Sequence, residues 1–252
     1  VRAAGHTDKM PFRGWQAVTV PGAPSAWAEL HKRFGRLPFA QLFAPAIDYA
    51  ENGYPVSPNM SRLWEEADGF YTKYKDRPEF KGWFDTFEPN GHWLQPGEVF
   101  KNPDMAKSLR LIAETYGDAF YKGELADKID AFMQEHNGFL RKSDLEAYKP
   151  EWVEPLSVNY RGYDIWELPP GITVLMALNI LKGYNFTERD TVETMHKQIE
   201  AMKLSFVDTK EYVAEPSYIK VTAEQLLSER YAADRRALIN DKALDPVVGD
   251  PR

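Results

Sequence analysis

The first fifty residues show apolar stripes with helical spacing, separated by turn residues. A short apolar run over residues 17–20 predicts a β-strand, which the Pro-Gly pair at residues 21–22 terminates. Ser25 can cap a helix that closes near Gly35, and a second helix is predicted over residues 39–50. Their apolar positions are Trp27, Leu30 and Phe34 in the first helix, and Leu42, Phe43, Ala46, Ile47 and Ala50 in the second. The pattern therefore predicts two helices packed through an apolar stripe.

Three further helical signals lie between residues 100 and 150. Asn102 and Pro103 form a favourable cap and first turn for one helix, and a second is predicted over residues 124–137. Residues 143–146 have the S-x-x-E arrangement of a capping box, which predicts the start of a short third helix. The middle of the chain is therefore predicted to be rich in α-helix.

Alternating apolar and polar residues appear only after residue 150. Residues 156–160 and 163–165 alternate around Arg161 and Gly162, which predicts a β-hairpin. The segment Ile172–Leu181 is apolar on nearly every side, so we expect a buried helix whose neighbours cover all its faces.

The remaining residues predict two more helices and an irregular tail. A cap at residues 190–193 begins a long amphipathic helix whose predicted buried face consists of Met195, Ile199, Met202 and Phe206. A capping box at residues 222–225 precedes a helix over residues 228–239, whose three outward residues are expected to be Arg230, Arg235 and Arg236. After Asn240 the periodicity stops, and two prolines predict an exposed, flexible end.

Composition supports a globular protein and excludes several classes of site. Of the 252 residues 27% are charged and 43% hydrophobic, and the net charge of -7 is spread along the chain, which argues against a nucleic-acid or anionic-membrane surface. The absence of cysteine excludes disulfides, thiolate metal sites and a cysteine nucleophile. No apolar run is long enough to span a bilayer. Because no flexible linker divides the chain, we expect residues 1–252 to form a single domain fragment.

No familiar catalytic motif is present. The phosphate-binding loops, the nucleophile elbow and the zinc-binding H-E-x-x-H motif are all absent. The histidines are scattered without a second ligand at metal-binding spacing, so no metal site is expected; they are His6, His31, His92, His136 and His196. A glycosidase needs two carboxylates near aromatic platforms. The candidates are Glu65, Glu66, Glu79 and Asp85 with Trp64, Trp83 and Trp93. A solvent-exposed charged face is the simpler interpretation of these residues. An enzyme whose nucleophile lies on another polypeptide would also lack a self-contained site.

Several ordered stretches resemble the γ-glutamyltransferase family. The family's V-x-V-P-G turn matches residues 18–22, and its helix–FGRLPF–helix arrangement follows it. Further similar segments are NPDMAKSL, FYKG, NGFLRKSDLEAY, YRGYDIWELPP, AEPSYIKV and LLSERYAADRRALI. Each motif is weak alone, but their order is specific and covers nearly the whole chain.

The resemblance implies a fold, a chemistry and a partner. It implies an α+β fold, the α-rich part of an N-terminal-nucleophile hydrolase αββα sandwich that missing N-terminal strands and a small subunit would complete. Family members cleave their own precursor before a Thr, whose free amine then serves as base for its hydroxyl. The resemblance therefore implies γ-glutamyl amide hydrolysis or transfer without a cofactor. A cephalosporin or glutaryl acylase, or a non-processed binding or structural protein, stays an alternative.

The same resemblance locates the expected site residues. No catalytic residue is expected in this chain, and the nucleophilic Thr is expected shortly after Arg252. Residues adjacent to the processing point are then Gly249, Asp250, Pro251 and Arg252. The loop of Pro169, Pro170 and Gly171 is expected near the active site, although the family usually has a longer loop there.

The resemblance also bears on partners and location. Expected partners are a small subunit from the same precursor and a small γ-glutamyl or glutaryl amide, with a dimer of heterodimers as a possible assembly. No membrane span and no nucleic-acid partner are expected. The lack of a visible signal favours the cytoplasm over the periplasm or secretion, although the start at Val1 indicates an incomplete N-terminus.

Overall fold

The computed structural model describes residues 5, 7, 9–215 and 218–252. His6 and the Pro-Ser pair of the AEPSYIKV motif therefore lie outside the described residues. The chain divides into two compact units, Val1–Pro150 and Glu151–Arg252. The expectation of a single domain stays a prediction, and the units are described separately.

The first unit is mainly helical. Its helices are α1 (Ala23–Phe34), α2 (Phe39–Asn52), α3 (Pro58–Tyr71), α4 (Lys81–Phe87), α5 (Pro103–Thr115), α6 (Asp118–Tyr121), α7 (Glu124–Glu135) and α8 (Lys142–Ala147). Two short strands, β1 (Tyr54–Pro55) and β2 (Val99–Phe100), pair antiparallel. Single turns of 3₁₀-helix occur at Trp15–Ala17, Thr72–Tyr74 and Pro78–Phe80.

Helices α1, α2 and α5 share one apolar core. Ala28 of α1 packs with Phe39 and Phe43 of α2 and with Ile112 of α5. The two predicted helices are confirmed, but the prediction that the α1 stripe is buried is wrong. Trp27, Leu30 and Phe34 are between 43% and 63% exposed, because the small Ala28 side chain lies on the face of α1 that packs within this core.

The starts of the elements in this unit differ in detail from the prediction. The predicted strand over residues 17–20 is wrong, because its first residue ends a 3₁₀ turn and the rest has no strand pairing. Helix α1 begins at Ala23, and Ser25 lies within it and donates to the Gly22 carbonyl instead of capping the helix. The Asn102 cap of α5 is confirmed, since its side chain accepts a hydrogen bond from Met105 N at 2.9 Å.

Over residues 151–215 and 218–252, the second unit combines one hairpin with four helices. Its elements are β3 (Leu156–Tyr160), β4 (Tyr163–Glu167), a 3₁₀ turn at Pro169–Gly171, α9 (Ile172–Leu181), α10 (Val192–Tyr212), α11 (Ala223–Leu226) and α12 (Glu229–Arg236). The predicted hairpin is confirmed, with Tyr160 opposite Tyr163 at its end. Arg161 and Gly162 both have positive φ, as the two-residue turn that matches strand twist requires.

Helix α9 forms the centre of this unit. Eight of its ten residues are buried, which confirms the prediction from its apolar sequence. Ile172 and Met176 pack with Tyr231 in one cluster, while Ile180 packs with Leu204 in another. Helices α10 and α12 both pack against α9 and supply most of the cover that its apolar surface needs.

Helix α10 faces the core with the side opposite to the one predicted. The prediction that Met195, Ile199 and Phe206 are buried is wrong, since all three are about half exposed. The buried face of α10 consists of Thr194, Glu200, Ala201, Leu204, Ser205 and Asp208. Ala201 and Leu204 of this face pack with Ile180 of α9, its other members are polar, and most of the apolar stripe is left on the surface of this unit.

Candidate functional site

The buried face of α10 carries a carboxylate that accepts three hydrogen bonds. The Asp208 side chain is completely buried. Its Oδ1 accepts from Gly249 N at 2.9 Å and from Arg235 Nη2 at 3.1 Å. Its Oδ2 accepts from the Tyr231 hydroxyl at 2.8 Å and lies 3.0 Å from Arg235 Nε. With three hydrogen bonds and the ion pair with Arg235, this carboxylate holds its neighbours in place.

Arg235 on α12 is the cation of this network. The prediction that it points outward is wrong, because the residue is only 3% exposed. In addition to Asp208 it reaches two backbone carbonyls, those of Val247 at 2.8 Å and Leu204 at 3.4 Å. Its Nη2 serves the carboxylate and both carbonyls, and the guanidinium keeps its positive charge beside Asp208. The arginine thus connects α10, α12 and the C-terminal tail.

Tyr231 completes the network from one turn earlier on α12. Burial raises the pKa of its hydroxyl, and its hydrogen bond to Asp208 raises that pKa further. The hydroxyl therefore remains a neutral donor at physiological pH. We call the set of Asp208, Tyr231 and Arg235 the buried network.

The tail after Asn240 has no regular secondary structure, as predicted, but it is bound to the fold. Val247, Val248 and Asp250 are exposed as expected, but Gly249 is half-buried, and the buried network binds the backbone of Val247 and Gly249. Gly249 donates its N–H to Asp208, and its carbonyl accepts from the Tyr212 hydroxyl at 2.6 Å. Pro251 is buried, whereas Asp250 and Arg252 are exposed and pair with each other at 2.8 Å.

The four residues predicted to adjoin a processing point, residues 249–252, thus lie in one irregular segment that the rest of the unit binds. Arg230, exposed on α12 as predicted, donates to the carbonyls of Pro251 at 3.1 Å and Arg252 at 2.6 Å. The third arginine of that helix, Arg236, was also predicted to point outward, and this is wrong. It is half-buried and donates to the carbonyls of Asn179 and Ile180 at the end of α9.

A second buried carboxylate binds the beginning of the tail. Glu200 on α10 accepts from Leu244 N at 3.0 Å and from Lys203 Nζ at 3.0 Å, and Lys203 also donates to the Leu244 carbonyl. Burial alone would raise the pKa of Glu200, but the hydrogen bonds from Lys203 and Leu244 outweigh it and lower that pKa. The group is therefore ionised at neutral pH and fixes the tail a few residues before the buried network.

The loop predicted near the active site forms the 3₁₀ turn between β4 and α9. Gly171 N donates to the Leu168 carbonyl at 2.7 Å, and a Cβ on Gly171 would lie 2.4 Å from Glu167 Oε2. In the described part of the chain, no hydrogen bond or ion pair connects Pro169, Pro170 or Gly171 to residues 249–252. The proximity of this loop to an active site stays a prediction.

Other candidate chemistry does not converge. Among the described residues, no three His, Asp or Glu side chains come close enough to hold a metal ion. Three of the carboxylates considered for a glycosidase form ion pairs with basic residues close in sequence. Glu66 pairs with Arg62, Glu79 with Arg77 and Asp85 with Lys81. No helix in the ranges that the structure describes combines the length and the apolar character that a membrane span needs.

Sequence reasoning missed the buried network because it followed apolar residues alone. A usable signal existed: Ala201, Leu204, Ser205 and Asp208 recur at helical spacing on α10, and Tyr231 and Arg235 share one face of α12. When two faces of a helix could both be buried, the buried face can be identified only if the element that packs against the helix is known.

Comparison with known proteins gives a consistent answer. The family model for gamma-glutamyltranspeptidase matches residues 2–251. The glutathione hydrolase-like YwrD proenzyme of Bacillus subtilis is 38% identical over 88% of this chain and 42% of the relative. The acylase ACY 1 proenzyme of Pseudomonas sp. (strain SE83) is 36% identical over 92% of this chain and 42% of the relative. The chain thus spans less than half the length of these relatives.

Solved structures give the same result for the fold. The crystal structure of cephalosporin acylase from Bacillus halodurans matches with a TM-score of 0.95 and 51% identity, over 99% of this chain and 47% of that one. The gamma-glutamyltranspeptidase of Helicobacter pylori matches with a TM-score of 0.83 and 27% identity, over 95% of this chain and 69% of that one. These matches confirm the predicted α+β class and the N-terminal-nucleophile hydrolase fold. This chain belongs to the γ-glutamyltranspeptidase family.

Proposed function

We propose that this chain is the non-nucleophile part of an amidohydrolase that matures by cleaving its own precursor shortly after Arg252. The observation that carries the proposal is the anchoring of residues 244–252 by Glu200, Asp208, Arg230 and Arg235. The relatives named as proenzymes support it. A small subunit from the same precursor then begins with the nucleophilic Thr.

The maturation chemistry needs only groups of the precursor and one water. The Thr hydroxyl attacks the preceding carbonyl carbon, the C–N bond breaks, and the hydroxyl proton ends on the released amine. Water then hydrolyses the ester, which leaves a carboxylate on the upstream segment and a free hydroxyl on the Thr. The new α-amine is close enough to serve as the base for that hydroxyl.

The mature enzyme then transfers an acyl group through the same Thr. Its oxygen attacks the carbonyl of a γ-glutamyl amide, hydrogen-bond donors stabilise the oxyanion, and the amine leaves. Water resolves the acyl-enzyme in hydrolysis, and a second amine resolves it in transpeptidation. The glutathione hydrolase names of several relatives favour γ-glutamyl amides as substrates.

A second candidate substrate class is favoured by particular relatives. The 51% identical structure is titled a cephalosporin acylase, and a 36% identical relative is an acylase. A glutaryl amide has the same carbon chain and terminal carboxylate as a γ-glutamyl amide and lacks only the α-ammonium group. A site with a buried partner for that ammonium would therefore reject the glutaryl compound, since an unpaired buried group costs about 1–3 kcal/mol.

One expression experiment tests the proposal. The full gene product should give two bands on a denaturing gel, with Thr at the N-terminus of the band that follows this chain. Replacement of that Thr by Ala should leave one band. A single band for the natural protein, with no release of aniline from a γ-glutamyl anilide or amine from a glutaryl amide, would refute the proposal and favour the non-processed binding protein. The ratio of the two turnover rates assigns the substrate class.

A further inference from the structure

We propose that the buried network is a positioning device for maturation: Asp208, Tyr231 and Arg235 seat the tail at Gly249 and thereby place the peptide bond to be cleaved. The inference rests on the proposed function. It assigns these three residues to the processing step, in which none of them touches the reacting atoms.

Two members of the buried network, together with Tyr212 beside them, bind the backbone of the tail. Arg235 donates to the Val247 carbonyl, Asp208 accepts from Gly249 N, and Tyr212 donates to the Gly249 carbonyl. Backbone contacts to Val247 and to both polar groups of Gly249 fix the register of the chain, because a slip by one residue would break these bonds and leave their buried partners unpaired. The tail is therefore held at one defined residue.

Gly249 is the point of closest approach. A Cβ built on this glycine would lie 2.4 Å from the Tyr231 hydroxyl and 3.0 Å from Arg235 Nη1. Its φ is not in the left-handed region, so the demand for glycine comes from the contact and not from backbone conformation. Any side chain here would move the tail away from the network.

The anchor precedes the proposed cleavage point, which we place shortly after Arg252. Arg252 follows Gly249 by three residues, which span at most roughly 10 Å when extended. Reacting atoms must approach to about 3–3.5 Å, and a displacement of about 1 Å can slow a reaction roughly 100-fold. A fixed point within so short a segment limits where the next few residues can lie.

Stability alone does not account for this arrangement. Buried ion pairs can usually be replaced by apolar residues of similar volume without loss of stability. The charged pair here makes three hydrogen bonds to other groups: one to the Tyr231 side chain, and two to the tail at Val247 and Gly249. Those to the tail are the bonds that a positioning role requires.

The test uses the full precursor and follows the first-order rate at which it converts to two bands. Gly249→Ala should slow conversion at least about tenfold, because the tail must move by an ångström or more. Gly69→Ala is the matched control, since a Cβ there meets no atom within 4 Å, and it should mature at the natural rate. Tyr212→Phe, which removes only the hydroxyl bonded to the Gly249 carbonyl, should slow conversion several-fold.

Two further readouts separate positioning from general destabilisation. Circular dichroism should show the Gly249→Ala and Gly69→Ala precursors fully folded at the assay temperature, and turnover per matured subunit should be retained, so that the loss lies in the maturation rate. If natural precursor matures but Gly249→Ala and Tyr212→Phe mature equally fast, the inference is overturned while the proposed function stands. If natural precursor never matures, the proposed function itself fails. Should Gly249→Ala not fold, the Tyr212→Phe rate alone decides.

Discussion

Replacing Asp208 with Asn should destabilise the second unit by far more than an ordinary polar substitution. The variant keeps the shape of the side chain but removes the charge that faces Arg235, whose side chain is 4% exposed. An amide nitrogen would also face donors from Arg235, Tyr231 or Gly249. Leaving one member of a buried ion pair without its partner costs about 3–5 kcal/mol. For a chain of this size each kcal/mol lowers Tm by roughly 2–4 °C, so a fall of about 6–20 °C is expected.

Thermal and urea unfolding of the full protein, followed by circular dichroism, measure this loss. Glu211→Gln is the matched control, because Glu211 is an exposed carboxylate on the same helix and its replacement should change stability by no more than about 0.5 kcal/mol. The double variant Asp208→Leu with Arg235→Met removes both charges and should recover most of the lost stability. If Asp208→Asn changes stability no more than Glu211→Gln, the carboxylate is not the counter-ion that its contacts indicate.

Three more predictions concern other parts of the fold. On α10, Leu204→Ala should cost about 2–5 kcal/mol in urea unfolding of the full protein, whereas Ile199→Ala, on the half-exposed side, should cost under about 1 kcal/mol; equal losses would contradict the observed helix face. Because the pKa of Glu200 is lowered, its stabilisation is present above about pH 4.5 and is lost as pH falls through the folded-state pKa, so Glu200→Gln should flatten the acid limb of a plot of Tm against pH. Gly53 and Gly91 both have positive φ, but only at Gly53 would a Cβ meet neighbours, Val99 Cγ1 at 2.5 Å among them; Gly53→Ala should therefore lower Tm more than Gly91→Ala.

Elements that are determined by neighbouring residues in the chain were predicted correctly from the sequence. The hairpin turn at Arg161 and Gly162, the Asn102 cap and the continuous apolar run of α9 all depend on residues next to each other in the chain. Their local preferences and their final environments agree, so pattern alone was sufficient.

Features that depend on distant partners were predicted poorly. For α10 the pattern showed correctly that one stripe is apolar, but whether that stripe is buried depends on what packs against it. The lack of periodicity predicts a free tail, but the contacts of the tail are made by backbone groups that no hydropathy pattern records. Arg235 was placed outward for the same reason, since a charged residue is rarely buried unless a partner elsewhere in the chain neutralises it.

The central position of α9 has a consequence for synthesis on the ribosome. This helix leaves the exit tunnel before both helices that cover it, and α12 is completed about fifty residues later. At a synthesis rate of roughly 5–20 residues per second, the apolar surface of α9 stays without its second covering helix for roughly 3–10 s. The hydrophobic segment of residues 172–181 is therefore exposed on the nascent chain for seconds. We expect a chaperone or a neighbouring chain to bind there first.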